Sequence, residues 1–483
     1  MPISALPSKY GIGSLGEGAY RFVDFLKAAG QKYWQILPLT QTGYGDSPYQ
    51  SCSDKSGNPY FIDLEILHRR GLISKRELQN AIDKSPEINY GKLYSERYTL
   101  LRKAFLRFDA ENAKFVRFVK SGKFADYALF MALKQKFGAP FYVWPEEYKR
   151  RNPKVLRAFV KENKDEVLFW QFLQHEFFNQ WEAVKKYAHS NGIKIIGDLP
   201  LYVAPDSEDV WVDPEAFMLD DDLRPVKVAG VPPDYFCEDG QHWGNPVYDY
   251  DSQSANGYKW WKNRLKRALS TYDYDRIDHF RGLDRFWSVD AEASDARNGI
   301  WSEGPREKIF EGISSDRIIA EDLGLIDDGV IELLGKTGFP NMKVLQFAFG
   351  GGFDNPYLPW NVKENCIYYT GTHDNDTVIG FLDIADEDFR GIIEKRISEC
   401  LEYLEVYKTV SGKYSYAESF IDIIYASRAN VAVIPVHDAL LLGGEYRINR
   451  PGTVGNWTVR YRKRLFTQTA ARLLKRKVRR FER

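Results

Sequence analysis

Apolar positions along the chain follow two rhythms. From Glu17 to Ala29 they recur at helical spacing, and Gly30 ends the run. A short apolar stretch, Tyr33 to Pro38, then reads as a strand. Further strands are predicted at Ile193 to Pro200, Tyr274 to His279, Arg317 to Gly324, Met342 to Phe347, Cys366 onward and Ala429 to Pro435. Strands alternating with helical patterns predict an α/β chain, and the alternation fits a (β/α)8 barrel better than an open sheet.

Residues 64–190 interrupt that order and are helical almost throughout, with Ser74 a suitable N-cap and Pro140 and Pro145 marking breaks. Phe169, Phe172, Leu173, Phe177, Trp181 and Val184 share one helical face, so these aromatics are core. The region is expected to be a mainly helical insertion beside the barrel. A second, loop-rich insertion is expected over 200–270, flanking the cleft. Within it, Asp206 to Trp211 and Gly230 to Asp234 read as a long irregular excursion ending in Glu238 to Pro246. Gln241, His242 and Trp243 lie at its tip. From Arg460 an amphipathic basic pattern predicts a helix docked on the barrel rather than a nucleic-acid or membrane arm. The whole, 1–483, is expected to be one catalytic domain with no separate C-terminal β-sandwich.

Composition narrows the partners. Lys and Arg number 67 and so do Asp and Glu, so no global field argues for nucleic acid or an anionic membrane. Aromatics make up 15% of 483 residues, and aromatic rings are the usual platforms for the apolar faces of sugars, although large cores and interfaces account for most of them. Cys52, Cys237, Cys366 and Cys400 lack paired spacing and are expected as free thiols in a reducing compartment. With neither a leader-like start nor a long apolar span, a cytoplasmic protein is expected.

The chemistry is expected at strand ends. Arg276 and Asp278, two residues apart on a strand, face one side, where the cation would keep the carboxylate ionised. On that segment alone, a buried ion pair without chemistry fits equally well. Asp198, Glu321 and Asp374 close other strands. No metal-ligand spacing and no nucleophile elbow is present, and neither metal nor cofactor is expected. Gly11 to Gly16 matches G-x-G-x-x-G but lacks the preceding strand of a dinucleotide site. Paired carboxylates without a metal suit glycosyl transfer: Asp278 as nucleophile, and Glu321, behind Ile318, Ile319 and Ala320, as the acid. A retaining pair requires carboxyl groups about 5–5.5 Å apart. After the first strand, Thr42 to Ser51 forms a loop rich in tyrosines and hydrogen-bonding groups, suited to binding.

Seven motifs carry a resemblance. They are Tyr10 to Gly16, Gly43 to Ser51, Gly197 to Pro200, Arg276 to Gly282, Ala320 to Gly324, Thr372 to Thr377, and Asn449 to Thr453 with Gly455 to Trp457. Nearly end to end the chain resembles amylomaltases, the 4-α-glucanotransferases of the α-amylase superfamily. The resemblance implies a (β/α)8 barrel and a retaining double displacement on malto-oligosaccharides and α-1,4-glucans, with glucose or an oligosaccharide as acceptor. It implies Asp278 as nucleophile, Glu321 as acid/base and Asp374 as the third carboxylate on the sugar hydroxyls, with Arg276 and His373 in support. Tyr44, Ser47 and Tyr49 match a substrate-contacting loop, and Gln241 and Trp243 a loop over the acceptor side. Asp198, His279 and Asn449, inside the quoted motifs, are expected on the substrate side too. The chain departs from the pattern at Val378 to Phe381, at Trp360 where His is usual, at His437 where Gln is common, and at Trp457 to Arg460. A hydrolase of the same superfamily and a non-catalytic glucan-binding protein are the alternatives.

Overall fold

The protein is described here from a computed structural model covering residues 1–233, 238–324 and 326–483, with the side chains of Tyr44 and Ser315 outside the described set. Cys237 also falls outside it, while Cys52, Cys366 and Cys400 are free thiols.

Eleven strands form two sheets among the described residues: β1 (Tyr33–Gln35), β2 (Lys194–Leu199), β3 (Lys227–Val231), β4 (Gln241–Pro246), β5 (Tyr274–Ile277), β6 (Arg285–Asp290), β7 (Ile300–Glu303), β8 (Ile318–Ala320), β9 (Asn341–Val344), β10 (Cys366–Tyr369) and β11 (Val431–Val433). Seven of them make one parallel sheet in the order β1-β2-β5-β8-β9-β10-β11. Its edge strands β1 and β11 line one interior cavity of about 300 Å³ with Ile196, Arg276, Met342 and Tyr369, so the sheet curls into a barrel. Tyr369 Oη donates to Gln35 Oε1 across that interior at 2.9 Å. No ladder joins β11 to β1 among the described residues, so the eight-stranded expectation is realised as seven parallel strands.

The strands are shorter than their apolar runs. Beyond β9, residues Leu345–Phe349 coil into a 3-10 turn, pinned where Gln346 Nε2 donates to the carbonyl of Asp376 at 2.8 Å. The excursion expected to be irregular instead contains β3 and β4, half of a four-stranded antiparallel sheet, β4-β3-β6-β7. Gln241 to Pro246 shows no alternation of its own, so its strand character comes from pairing with β3. Gln241 and Trp243 therefore sit on a strand and not at a loop tip.

Helices fill 64–190, ending in the long helix Lys164–Ser190, whose buried face carries Phe169, Phe172, Leu173, Phe177, Trp181 and Val184. Ser74 caps Lys75–Asn80 in a reciprocal capping box with Glu77. Two glutamines of the long helix clamp the segment after β1. Gln174 exchanges hydrogen bonds with the backbone of Gly57, and Gln180 Oε1 accepts from Asp63 N–H at 2.7 Å. The early glycine motif also serves structure. A Cβ at Gly16 would meet the Asp63 carboxylate, which accepts from Ser14 Oγ and caps Leu64–Arg69. At the C-terminal end, helix Gln468–Arg480 buries Ala471 and Leu474 under its basic surface. No described helix is long and apolar enough to cross a membrane.

On β2, a Cβ at Gly197 would fall on the Tyr272 ring. Gly197→Ala is expected to lower unfolding stability by about 1–3 kcal/mol, as overpacking does, measured by urea denaturation.

Candidate active site

Parallel strands present their C-terminal ends on one side of the barrel, which is where catalytic side chains of such barrels gather. Three neighbouring strands, β2, β5 and β8, bring Asp198, Arg276, Asp278 and Glu321 there. The Arg276 side chain is only 4% exposed. A buried guanidinium needs carboxylates, and it has three. Its Nη1 contacts Asp198 Oδ1 at 2.6 Å, and its Nη2 contacts Asp278 Oδ1 at 2.8 Å and Glu321 Oε2 at 3.8 Å. Burial works against its charge, but Asp198 and Asp278 outweigh burial and hold it firmly protonated.

Because one nitrogen touches both oxygens, the sum of the last two distances limits the separation of Asp278 Oδ1 and Glu321 Oε2. That limit accommodates the roughly 5–5.5 Å of a retaining pair.

The two carboxylates stand in different surroundings. Asp278 continues the ladder beyond β5, its N–H bonded to Leu199 O, and its side chain is 29% exposed. Glu321 is buried, which is the main reason its carboxyl is lifted to about 7; Arg276 pulls the other way and the Asp278 charge adds to the rise. The backbone N–H groups of His279 and Leu323 also oppose the rise, donating to its oxygens at 2.6 and 2.8 Å. His279 adopts a left-handed backbone, φ 52°, strained for a non-glycine residue, and that turn carries the donating N–H. Burial depresses the His279 imidazole to about 4, so it is neutral at neutral pH. The next residue along from Glu321 has another job: Asp322 accepts from Met342 N–H and Asn341 Nδ2, tying β8 to β9.

Asp374 lies beyond β10, in the loop leading to the helix Val378–Ile384. Long-range partners hold it there. Asn449 Nδ2 donates to Asp374 Oδ1 at 2.6 Å, Arg447 Nη2 donates to its carbonyl at 2.8 Å, and His373 Nε2 lies 3.3 Å from Oδ1. Tyr49 links this group to the arginine cluster: its hydroxyl donates to Asp198 Oδ2 at 2.7 Å and meets His373 Nε2 at 3.1 Å. The rings of Tyr49, His373 and Trp457 lie 5.4–5.8 Å apart, an aromatic wall beside the carboxylates.

Of the residues singled out from sequence, Tyr49, Asp198, Arg276, Asp278, His279, Glu321, His373, Asp374 and Asn449 form one connected network. Trp243 joins it by packing edge-on against His279 at 4.9 Å, and Gln241 by accepting from Trp243 Nε1. Ser47 shapes the loop, accepting from Tyr49 N–H, and touches none of the carboxylates. The Tyr44 side chain lies outside the described residues. Arg447 was not anticipated; its one signal is its place two residues before Asn449. Among the described residues no group of His, Cys, Asp and Glu is arranged to hold a metal ion.

Comparison with known proteins agrees over the full length. Residues 1–467 match glycosyl hydrolase family 77, described as 4-alpha-glucanotransferase. A 4-alpha-glucanotransferase of Clostridium butyricum is 46% identical, covering 98% of this chain and 97% of its own. One of Thermus thermophilus is 42% identical, covering 95% and 93%. Among solved structures, the amylomaltase from Streptococcus agalactiae in complex with acarbose aligns with a TM-score of 0.93 at 36% identity, over 100% and 98% of the two chains.

The raised Glu321 carboxyl has a stability consequence. A folded-state value above the ordinary 4.5 means stability is lost as pH rises from 4.5 to about 7. Glu321→Gln removes that loss. Its stability relative to wild type should therefore grow across this window, by up to about 3 kcal/mol, measured by denaturant unfolding at pH 4.5 and pH 8.

Proposed function

The chain belongs to the 4-alpha-glucanotransferase family, and we propose that Asp278, Glu321 and Asp374 carry out its reaction in this protein. The enzyme transfers α-1,4-glucan segments, and the single observation that supports this division of labour is the shared Arg276 contact of Asp278 and Glu321. Asp278 is the nucleophile. Its oxygen bonds to the anomeric carbon as the glycosidic C–O bond breaks, and protonated Glu321 gives its proton to the departing sugar oxygen. The donor's reducing-end fragment leaves, and the rest stays esterified to Asp278.

Ester formation removes the Asp278 charge, one of the influences raising Glu321. The Glu321 carboxylate, now easier to keep ionised, takes the proton of an acceptor hydroxyl as that oxygen attacks the anomeric carbon and frees Asp278. Two inversions give net retention. Asp374, gripped by Asn449 and His373, is placed to hold sugar hydroxyls, with Tyr49 and Trp457 as an apolar wall. Trp243 on β4, packed edge-on against His279 and bonded to Gln241, shields the intermediate from water, which favours a sugar acceptor. Donors are malto-oligosaccharides and α-1,4-glucans, and acceptors are glucose or shorter oligosaccharides. The acarbose complex of the Streptococcus agalactiae amylomaltase supports that class.

Purified protein with maltotriose should yield glucose and oligomers longer than the input, read by chromatography. Asp278→Asn should lower that rate by roughly 10⁴-fold or more. Glucose and maltose alone would mean that water is the acceptor and the protein a hydrolase, and unchanged maltotriose would favour a binding protein. Because Glu321 must start protonated, the initial rate should fall as pH rises through about 7, with a slope of one proton.

A further inference from the structure

The loop between β9 and β10 carries aromatic rings that the reaction above does not use. Phe353 is 66% exposed and Tyr403, from the neighbouring helix Glu387–Tyr403, is 50% exposed. Trp360 stands between them, 5.7 Å from Phe353 and 5.5 Å from Tyr403. Trp360 is also one of the positions at which the chain departs from the motifs it resembles. We propose that Phe353, Trp360 and Tyr403 form a second binding site for an α-1,4-glucan chain, outside the catalytic centre. This rests on the glucan specificity argued above.

The platform is rigid before any ligand arrives. Asn355 Nδ2 donates to the carbonyls of Phe347 and Gly350, Asn361 Nδ2 to those of Phe353 and Asn355, and Trp360 Nε1 to Phe353 O, all between 2.7 and 2.9 Å. Rings fixed in this way bind with little ordering cost. Their spacing is comparable to the length of one pyranose, whose C–H face is apolar. The Arg396 guanidinium over Phe353 adds a donor group beside the rings.

The strip is continuous with the catalytic face. It leaves the C-terminal end of β9, the strand next to the one that ends at Glu321. Lys343 on β9 reaches Asp322, beside Glu321, at 3.6 Å and lies 5.3 Å from the Tyr357 ring, which packs on exposed Phe347. A second copy of the chain is a poorer occupant. The three rings expose roughly 300 Å², well short of the about 800 Å² per partner of a stable interface. A long glucan, held here, is presented repeatedly to the carboxylates, whereas maltotriose gains nothing.

The test compares wild type with Phe353→Ala/Tyr403→Ala in native gels containing glycogen, beside maltotriose turnover in solution. The double variant should bind glycogen about tenfold more weakly, while its maltotriose kcat/KM stays within about twofold of wild type, which also reports correct folding. Phe353→Trp should bind glycogen at least as well as wild type. Equal retardation of wild type and double variant, or no retardation of wild type, overturns the proposal. So does a double variant that loses only self-association in light scattering. Absence of maltotriose turnover in wild type would instead overturn the transferase reading, since gel retardation is read without turnover.

Discussion

One buried guanidinium organises the barrel mouth. Arg276 sits where three adjacent parallel strands end, and its charge can be kept out of water only because each of them delivers a carboxylate to it. Remove the register between β2, β5 and β8 and those oxygens no longer meet on one cation. The strands carry buried apolar residues such as Ile195, Ile277 and Ile318, so the packing of the strands is what places these carboxylates.

Around that centre, environment separates chemically identical groups. Asp278 is partly exposed and paired with the cation, whereas Glu321 is buried behind it and held up to about 7. Burial thereby sets Glu321 apart, lifting a carboxyl into the range where it can give a proton near neutral pH. The left-handed turn at His279 works the other way: it aims a backbone donor at Glu321 that offsets part of the rise caused by burial.

The third carboxylate depends on a different part of the fold. Asp438, buried, accepts from Thr370 Oγ1 at 2.6 Å and from Val378 N–H at 2.7 Å, fastening both ends of the loop that bears His373 and Asp374. Arg447 and Asn449 hold the same loop from the outside. The helices of 64–190 reach the site indirectly, through the glutamine clamps on the segment after β1, and the same segment is held from the helix Lys259–Thr271 by the contacts of Arg264 and Arg267 with Asp54.

The chain alone determined the elements whose signal is local. Apolar runs bounded by glycine and proline marked the parallel strands, a single aromatic face marked the helix Lys164–Ser190, and Ser74 with Glu77 marked a helix start. It also placed Arg276 and Asp278 on one side of a strand, because alternation is a property of three consecutive residues. Tertiary structure decided what depends on distant partners. Asp198 meets Arg276 across 78 residues, and Asn449 meets Asp374 across 75. Strand β4 exists only by pairing with β3, and the Glu321 carboxyl is raised only once buried. Pairing and burial are made between segments far apart in sequence, and no local pattern encodes which of them will meet.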